Sequence, residues 1–120
     1  MKILLLTLLC FVGSISLAQS NKGKSGVSVV SVKTQCVLGA NLGYYVQFKN
    51  NSSSSVDGLK WTATFTDNFG KSLGTRSGQW QSGNFISAIK PGDTTEDLEN
   101  NYIKGATKVS VSITSVHFAK

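Results

Sequence analysis

The fold class of this chain is decided by the stretch Leu59-Lys60-Trp61-Thr62-Ala63-Thr64-Phe65-Thr66. Its apolar residues alternate strictly with lysine and threonine. This period of two places the apolar side chains on one face of a β-strand and the polar side chains on the other. Such a strand is typical of an antiparallel sheet that packs one face on a core and exposes the other to water. The stretch therefore predicts a half-buried strand with Trp61 in the core.

Turn signals bound this strand and recur along the chain. The polar run 50–55 precedes it, Asp67-Asn68-Phe69-Gly70 follows it, and Lys90-Pro91-Gly92-Asp93 forms a further turn. Between these turns, residues 27–38, 44–49 and 71–90 carry strand patterns, the last as short candidates around Leu73, Trp80 and Phe85-Ile86. Residues 94–104 fit either a short helical turn or a strand. No segment has the pattern of an amphipathic helix.

The last strand, residues 108–118, contains a break in its apolar phase. Val109, Val111 and Ile113 share one face, whereas Val116 and Phe118 fall on the opposite one. One extra residue near Thr114-Ser115 restores the inward phase, so we expect a β-bulge or a bend there. About seven short strands with regular turns in about 100 residues predict an antiparallel β-sandwich.

The same segments resemble a known family. They are Val46–Asn51, Val56–Asp67, Gly70-Lys71, Leu73-Gly74, Ile89-Lys90-Pro91-Gly92 and Gly105–Val109. This series is similar to that of bacterial FxLYD-like domains, over residues 27–118. The resemblance implies an immunoglobulin-like sandwich on an exported protein. It implies no catalytic residues, but a module that binds, spaces or stabilises something outside the cytoplasm.

The first residues predict the compartment. Met1-Lys2 is followed by an apolar run, and Ser16-Leu17-Ala18 supplies small residues before Gln19. This is the layout of a secretory signal peptide, here residues 1–18, cut near Ala18-Gln19. The run is too short for a membrane span, which needs roughly 20 residues, so no transmembrane segment is expected. The protein is then secreted or periplasmic, with residues 19–26 as a flexible leader and 27–120 as one domain.

Charge argues against nucleic acid as a partner. Removal of Lys2 with the signal leaves 11 of the 12 basic residues against 6 acidic ones. Four of the acids, Asp93, Glu96, Asp97 and Glu99, fall within one short segment. The lysines are scattered singly, without the clustered basic stripe and interleaved aromatics of a nucleic-acid interface. A mild basic excess also suits weak attraction to acidic polymers.

Cysteine usage predicts a fold without a disulfide. Cleavage of the signal removes Cys10, and Cys36 is then the only cysteine. The neighbouring Val37-Leu38 favours burial of its side chain.

No motif for catalysis, a metal or a cofactor is present in the sequence. His117 is the only histidine, and its place on the last strand favours a hydrogen-bonded strand residue over a general base. The acidic run 93–99 lacks the spacing of a calcium loop and is expected to form a solvated turn. Asn50 and Asn51 each begin an Asn-x-Ser sequon, which matters only in a host that glycosylates asparagine. We expect no catalytic residue, no metal and no cofactor.

Trp80 is the strongest candidate for ligand binding. It lies among Gly, Ser, Gln and Asn in residues 77–85, a composition that suits sugar binding. An aromatic face stacks on a pyranose while amides bond its hydroxyls. Tyr45 and Phe85 are candidate partners in such a site. The alternative is that Trp80 covers one end of the sandwich.

Three functional hypotheses follow from these observations. The first is an exported, non-enzymatic binding or structural module of the cell envelope or extracellular space. The second is a carbohydrate-binding module that uses Trp80 with Tyr45 or Phe85. The third is a small secreted inhibitor or effector that binds a protein through a loop or an edge strand. The partner is thus a protein or a glycan outside the cytoplasm.

Overall fold

The computed structural model describes residues 21–37 and 40–120. These residues form two three-stranded antiparallel sheets, ordered β1-β2-β5 and β4-β3-β6, and contain no helix. The strands are β1 (Val27–Val37), β2 (Ala40–Asn50), β3 (Val56–Thr66), β4 (Ser72–Gln81), β5 (Thr94–Glu99) and β6 (Lys108–Phe118). The predicted all-β class is confirmed, with six strands rather than about seven.

The strand count differs because Phe85 and Ile86 do not form a strand. They lie in the loop 82–93, where the Gly83 N–H donates to the Ile86 carbonyl and closes a turn. Both side chains are exposed, so no core contact holds this pair in an extended conformation. The ambiguous segment 94–104 begins with β5, whose pairing with β2 satisfies its backbone groups. A neighbouring strand thus decided between helical turn and strand.

The alternation in β3 predicts its buried face correctly. Leu59, Trp61, Ala63 and Phe65 are at most 1% exposed. They belong to one cluster with the inward side chains of the other sheet. The Trp61 indole N–H donates to the Tyr44 hydroxyl at 3.0 Å, which satisfies two polar groups inside the core. Burial raises the pKa of the Tyr44 hydroxyl to about 12.

Gly78 on β4 makes room for the largest core side chain. It pairs with Trp61, and a Cβ added at this position would overlap the indole ring. The glycine is therefore required by packing and not by its backbone angles. This close approach lets the Trp61 ring lie under β4.

The predicted bulge in the last strand is confirmed. Lys60 pairs with Ser115 and the next residue, Trp61, pairs with Ile113, so that Thr114 is the extra residue. After this bulge, Val116 and Phe118 pack against the core and Ser115 and His117 are exposed. The apolar phase of the sequence therefore fixes which side of the sheet His117 occupies.

The start of the described chain is hydrogen-bonded to β6. The sequence predicts that residues 21–26 are the end of a flexible leader. In the structure, the Lys22 N–H donates to the Val111 carbonyl at 3.0 Å. The Lys22 carbonyl accepts from the Ile113 N–H, and the Asn21 side chain accepts from the Val111 N–H. This segment covers part of the outer edge of β6.

Some predictions fall partly or wholly beyond this structure. The signal peptide, residues 1–18, lies outside the described residues and stays a prediction. Cys36 is half-buried and is the single cysteine of the described segments, so no disulfide joins two described residues. Cys10 lies outside them. Within residues 21–37 and 40–120, no helix is long and apolar enough to span a bilayer.

Candidate functional site

The structure separates the three aromatic residues that the sequence singles out. Trp80 is 6% exposed, because it shares the inward face of β4 with Gly78 and pairs with the buried Leu59. Its side chain belongs to the core, although the residue borders a pocket described below. A sugar-binding site therefore cannot use the Trp80 ring as an open platform.

Phe85 has the opposite environment. Its side chain is fully exposed in the loop 82–93, beside the half-exposed Ile86. An apolar pair presented to water is costly unless a partner covers it, at about 25 cal/mol per Å² of apolar surface. Loop tips of this kind are common contact points for protein partners.

Tyr45 lies on the outer face of the β1-β2-β5 sheet. It is 38% exposed and lines a shallow pocket of about 290 Å³. The pocket contains an ammonium, an amide, a carboxylate and a hydroxyl, from Lys33, Gln47, Glu96 and Ser31. Strand pairing explains this arrangement, since Lys33 is opposite Tyr45, and Ser31 and Glu96 flank Gln47 on either side. An aromatic ring surrounded by polar groups can bind a polyhydroxylated ligand.

A larger pocket of about 470 Å³, here called the His117 pocket, lies on the outer face of the β4-β3-β6 sheet. It is lined by Asp57, Gly58, Leu59, Lys60, Gln79, Trp80, Gln81, Ser82, Ser115 and His117. Its defining contact joins His117 Nδ1 and Asp57 Oδ1 at 2.5 Å. A carboxylate can only accept, so the ring N–H is on Nδ1 and donates to Asp57.

Two β-bulges bring Asp57 and His117 together. Val56 pairs with Phe118, and Gly58 pairs with His117, so Asp57 is the extra residue of a bulge in β3. The bulge at Thr114 turns His117 to the same outer face. Bulges of this kind re-aim side chains beside functional sites. The side chains of His117 and Asp57 remain 70% and 30% exposed.

The Asp57–His117 pair is one part of the arrangement that activates a nucleophile. A histidine oriented by a carboxylate acts as a general base when a hydroxyl or thiol is bonded to its other nitrogen. Within residues 21–37 and 40–120, no hydroxyl is hydrogen-bonded to Nε2, although Ser82 and Ser115 line the same pocket. The geometry thus positions His117 for contact with a ligand, with Nε2 available.

Sequence reasoning considered His117 alone and missed this pocket. Asp57 and His117 are 60 positions apart, and no spacing rule connects them. The one usable signal was the phase break in β6, which predicts the bulge and therefore the exposed side of His117. The bulge at Asp57 has only a weak signature, because a single apolar residue, Val56, lies before it out of phase with Leu59.

The two predicted sequons have different environments. The Asn50 side chain is fully buried, and its amide donates to the carbonyls of Ser54 and Ile89 at 2.8 Å each. An amide held in this way is inaccessible to a modifying enzyme. Asn51 is exposed and donates to the Ser28 hydroxyl at 2.9 Å. Only the second sequon is sterically open.

Most of the acidic run forms strand β5 (Thr94–Glu99) and not a solvated turn, and Asp93 directly precedes this strand. Asp97 and Glu99 are half-buried, whereas Glu96 is exposed. Burial, together with the hydrogen bond and charge of Asp97, raises the pKa of Glu99 to about 7. In the described segments, no group of three or more His, Cys, Asp or Glu residues is placed to hold a metal ion.

Comparison with known proteins finds no protein family, no curated protein and no solved structure that this chain matches. The resemblance to FxLYD-like domains therefore stays a prediction. Function has to be argued from the sites themselves.

Proposed function

We propose that this chain is an exported, non-enzymatic binding module of the cell envelope or the extracellular space, built as an immunoglobulin-like sandwich. Export rests on the signal-like residues 1–18 and their cut near Ala18-Gln19. The binding role rests on two outer sheet faces that each carry a pocket lined with polar side chains.

Strand order supports the immunoglobulin-like assignment. In such sandwiches, strands A, B and E form one sheet and strands C and F meet in the other, with C′ added beside C in variable-type domains. The sheets β1-β2-β5 and β4-β3-β6 have this order. Trp61 on β3 corresponds to the buried tryptophan of strand C. The Tyr102 hydroxyl donates to the Ala106 carbonyl in the β5–β6 connection. Immunoglobulin-like domains carry a bonded tyrosine near this connection, but its bond runs upstream, whereas the Tyr102 bond runs downstream.

The observation that carries the ligand class is the exposed Tyr45 among polar groups. A pyranose has an apolar face that stacks on an aromatic ring and hydroxyls that bond amides and carboxylates. Gln47 and Glu96 lie one cross-strand row from Tyr45 on the same face, and Lys33 is directly opposite. We therefore assign a glycan to the Tyr45 pocket, with Tyr45 taking the role that the sequence suggests for Trp80.

A glycan panel probed with the mature chain tests this assignment. Tyr45→Ala is expected to weaken binding at least about tenfold, the range of a contact worth about 1.4 kcal/mol. Phe85→Ala is the matched control, because it removes another exposed aromatic ring far from the pocket. Equal binding by Tyr45→Ala and the parent, or no glycan retained from the panel, refutes the glycan assignment.

The non-enzymatic part of the proposal has its own test. The mature chain is assayed against ester, glycoside and peptide substrates beside His117→Ala. We expect no turnover by either protein. Turnover that survives purification and is lost in His117→Ala overturns this part, because Asp57 then orients a working base.

A protein partner is the second candidate function, as a small secreted inhibitor or effector. The exposed Phe85 and Ile86 favour it, since apolar loop residues become binding anchors when a partner covers them. Pull-down from native culture fluid is expected to retain one protein with the parent chain and to lose it with Phe85→Ala. Retention of a glycan but no protein contradicts this candidate.

A further inference from the structure

We propose that the His117 pocket is a separate binding site for an oxyanion group, a carboxylate, sulfate or phosphate carried by the ligand. This site is on the opposite sheet from Tyr45 and does not depend on the glycan assignment. The shape of the pocket, the hydrogen-bonding groups that line it and the Lys60 ammonium favour this ligand class.

The shape of the pocket comes from a glycine between two rows of longer side chains. One cross-strand row contains Gln81, Gly58 and His117, and the next contains Gln79, Lys60 and Ser115. Gly58 has no side chain, so the sheet surface is depressed between Gln81 and His117. A Cβ added at Gly58 would approach only the His117 Cβ at 3.4 Å and a carbonyl oxygen at 3.9 Å. The depression is thus open space above the backbone.

The lining offers a ligand one ammonium and two amide N–H groups as donors. Lys60, Gln79 and Gln81 carry ammonium and amide N–H groups, and no side chain or carbonyl within residues 21–37 and 40–120 accepts from them. The single carboxylate of the pocket, Asp57, already accepts from His117. Oxyanions are bound in proteins by this combination of a lysine and neutral N–H donors.

This pocket differs from the Tyr45 pocket because it has no exposed Phe, Tyr or Trp ring on which a sugar could stack. Trp80 is the one aromatic residue at its border, and its side chain is buried in the core. Lys60 is the one ammonium of the pocket, and Asp57, its one carboxylate, is hydrogen-bonded to His117. Four of the six acidic residues of the whole chain fall in 93–99, just before or within β5 of the other sheet. Outside that segment the mature chain carries 11 basic residues against two acidic ones, so an anionic group meets a net basic surface away from β5.

The test is an amide-resolved NMR titration of the mature chain. The probes are sodium glucuronate, sodium sulfate and sodium phosphate, each at the same ionic strength and pH, with sodium chloride and glucose as references. We expect saturable shifts at the Gly58 backbone amide and at the side-chain amides of Gln79 and Gln81. The probe that saturates at the lowest concentration identifies the oxyanion class that the pocket prefers.

Two variants and their controls make the test specific. Gly58→Val fills the depression, and its β-branched side chain suits a strand. Thr64→Val changes an outward position of the same strand three rows away. Lys60→Gln removes a charge from the pocket, and Lys108→Gln removes one from the far end of the same face. We expect no saturable binding to Gly58→Val. The affinity of Lys60→Gln is expected to fall about three- to tenfold, as for a partly exposed ionic contact. The affinities of the two controls, Thr64→Val and Lys108→Gln, are expected to stay close to that of the parent.

The proposal is overturned by any of three results. These are shifts that chloride reproduces at equal ionic strength, saturable binding that Gly58→Val retains, and equal losses in Lys60→Gln and Lys108→Gln. The last result would mean general attraction to a basic face without a site. Because Tyr45 is on the other sheet, Tyr45→Ala is expected to leave these shifts unchanged.

Discussion

Replacement of Asn50 by alanine is expected to destabilise the domain more than its position at a strand end suggests. Its side chain is the single fully buried polar one of the described residues. It makes four hydrogen bonds. The amide donates to the carbonyls of Ser54 and Ile89, and Oδ1 accepts from the backbone N–H and hydroxyl of Ser52. Asn50 thus ties the loop 51–55 to the end of the β4–β5 connection.

The loss of unfolding free energy depends on which hydrogen bonds the former partners of Asn50 can still make after the substitution. A net intramolecular hydrogen bond contributes about 0.5–1.5 kcal/mol, so four such bonds together contribute about 2–6 kcal/mol. Ser52 is half-buried and Ser54 is exposed, so water replaces part of what their groups lose. The Ile89 carbonyl is buried but still accepts from the Val56 N–H at 2.9 Å. We therefore expect Asn50→Ala to lower the free energy of unfolding by about 2–3 kcal/mol.

Urea unfolding of the mature chain measures this change. Trp61 and Trp80 are both buried, so their fluorescence reports the loss of the core. With a slope of about 1–3 kcal/mol per M, the midpoint is expected to fall by about 0.7–3 M urea at an unchanged slope. Asn51→Ala is the matched control: it removes one hydrogen bond of an exposed side chain and is expected to change stability by less than about 0.5 kcal/mol. Equal midpoints for the two variants would refute the structural role of Asn50.

Two further predictions use the same unfolding assay. Gly78→Ala is expected to cost about 1–3 kcal/mol, because the new methyl group overlaps the Trp61 indole and a packed core resists insertion; an unchanged midpoint contradicts this packing. The pKa of Glu99 is raised from 4.5 to about 7 in the folded state, so the folded chain binds this proton more tightly. Its contribution to stability is complete below about pH 4.5 and is lost as the pH rises to about 7. Between pH 4.5 and 7 the parent is expected to lose about 1 kcal/mol of stability after solvent screening, and Glu99→Gln is expected not to show this loss. If the stability of Glu99→Gln falls by the same amount as that of the parent over this pH range, the prediction is wrong.

Much of the fold could be predicted, because the signals involved are local. The alternation in β3 identifies its buried face, and the phase break in β6 identifies the bulge at Thr114. The candidate sites were harder to predict. The alternation in β2 places Tyr45 on the polar, exposed face of the strand, but its neighbours Lys33 and Glu96 come from two other strands. Their proximity depends on register, which no local pattern reports.

Trp80 shows the limit of composition as a guide to function. Its Gly, Ser and Gln neighbours suggest an open binding loop, yet the residue lies on the inward face of β4. The apolar alternation that would mark Trp80 as inward is weak in β4, because the inward residue two positions before it is Gly78. Only the tertiary structure shows that Gly78 is buried because the Trp61 ring occupies the space beside it.

The sequence by itself determined the fold class, the buried face of β3 and the bulge in β6, since each depends on side chains within one strand. The tertiary structure decided which strands became neighbours, and with them the Tyr45 pocket, the burial of Asn50 and the contact between Asp57 and His117. Some of these features join residues 60 or more positions apart, as in the Asp57–His117 contact. Their proximity arises from pairing register and from sheet-to-sheet packing, which are set by the whole core and not by any single segment.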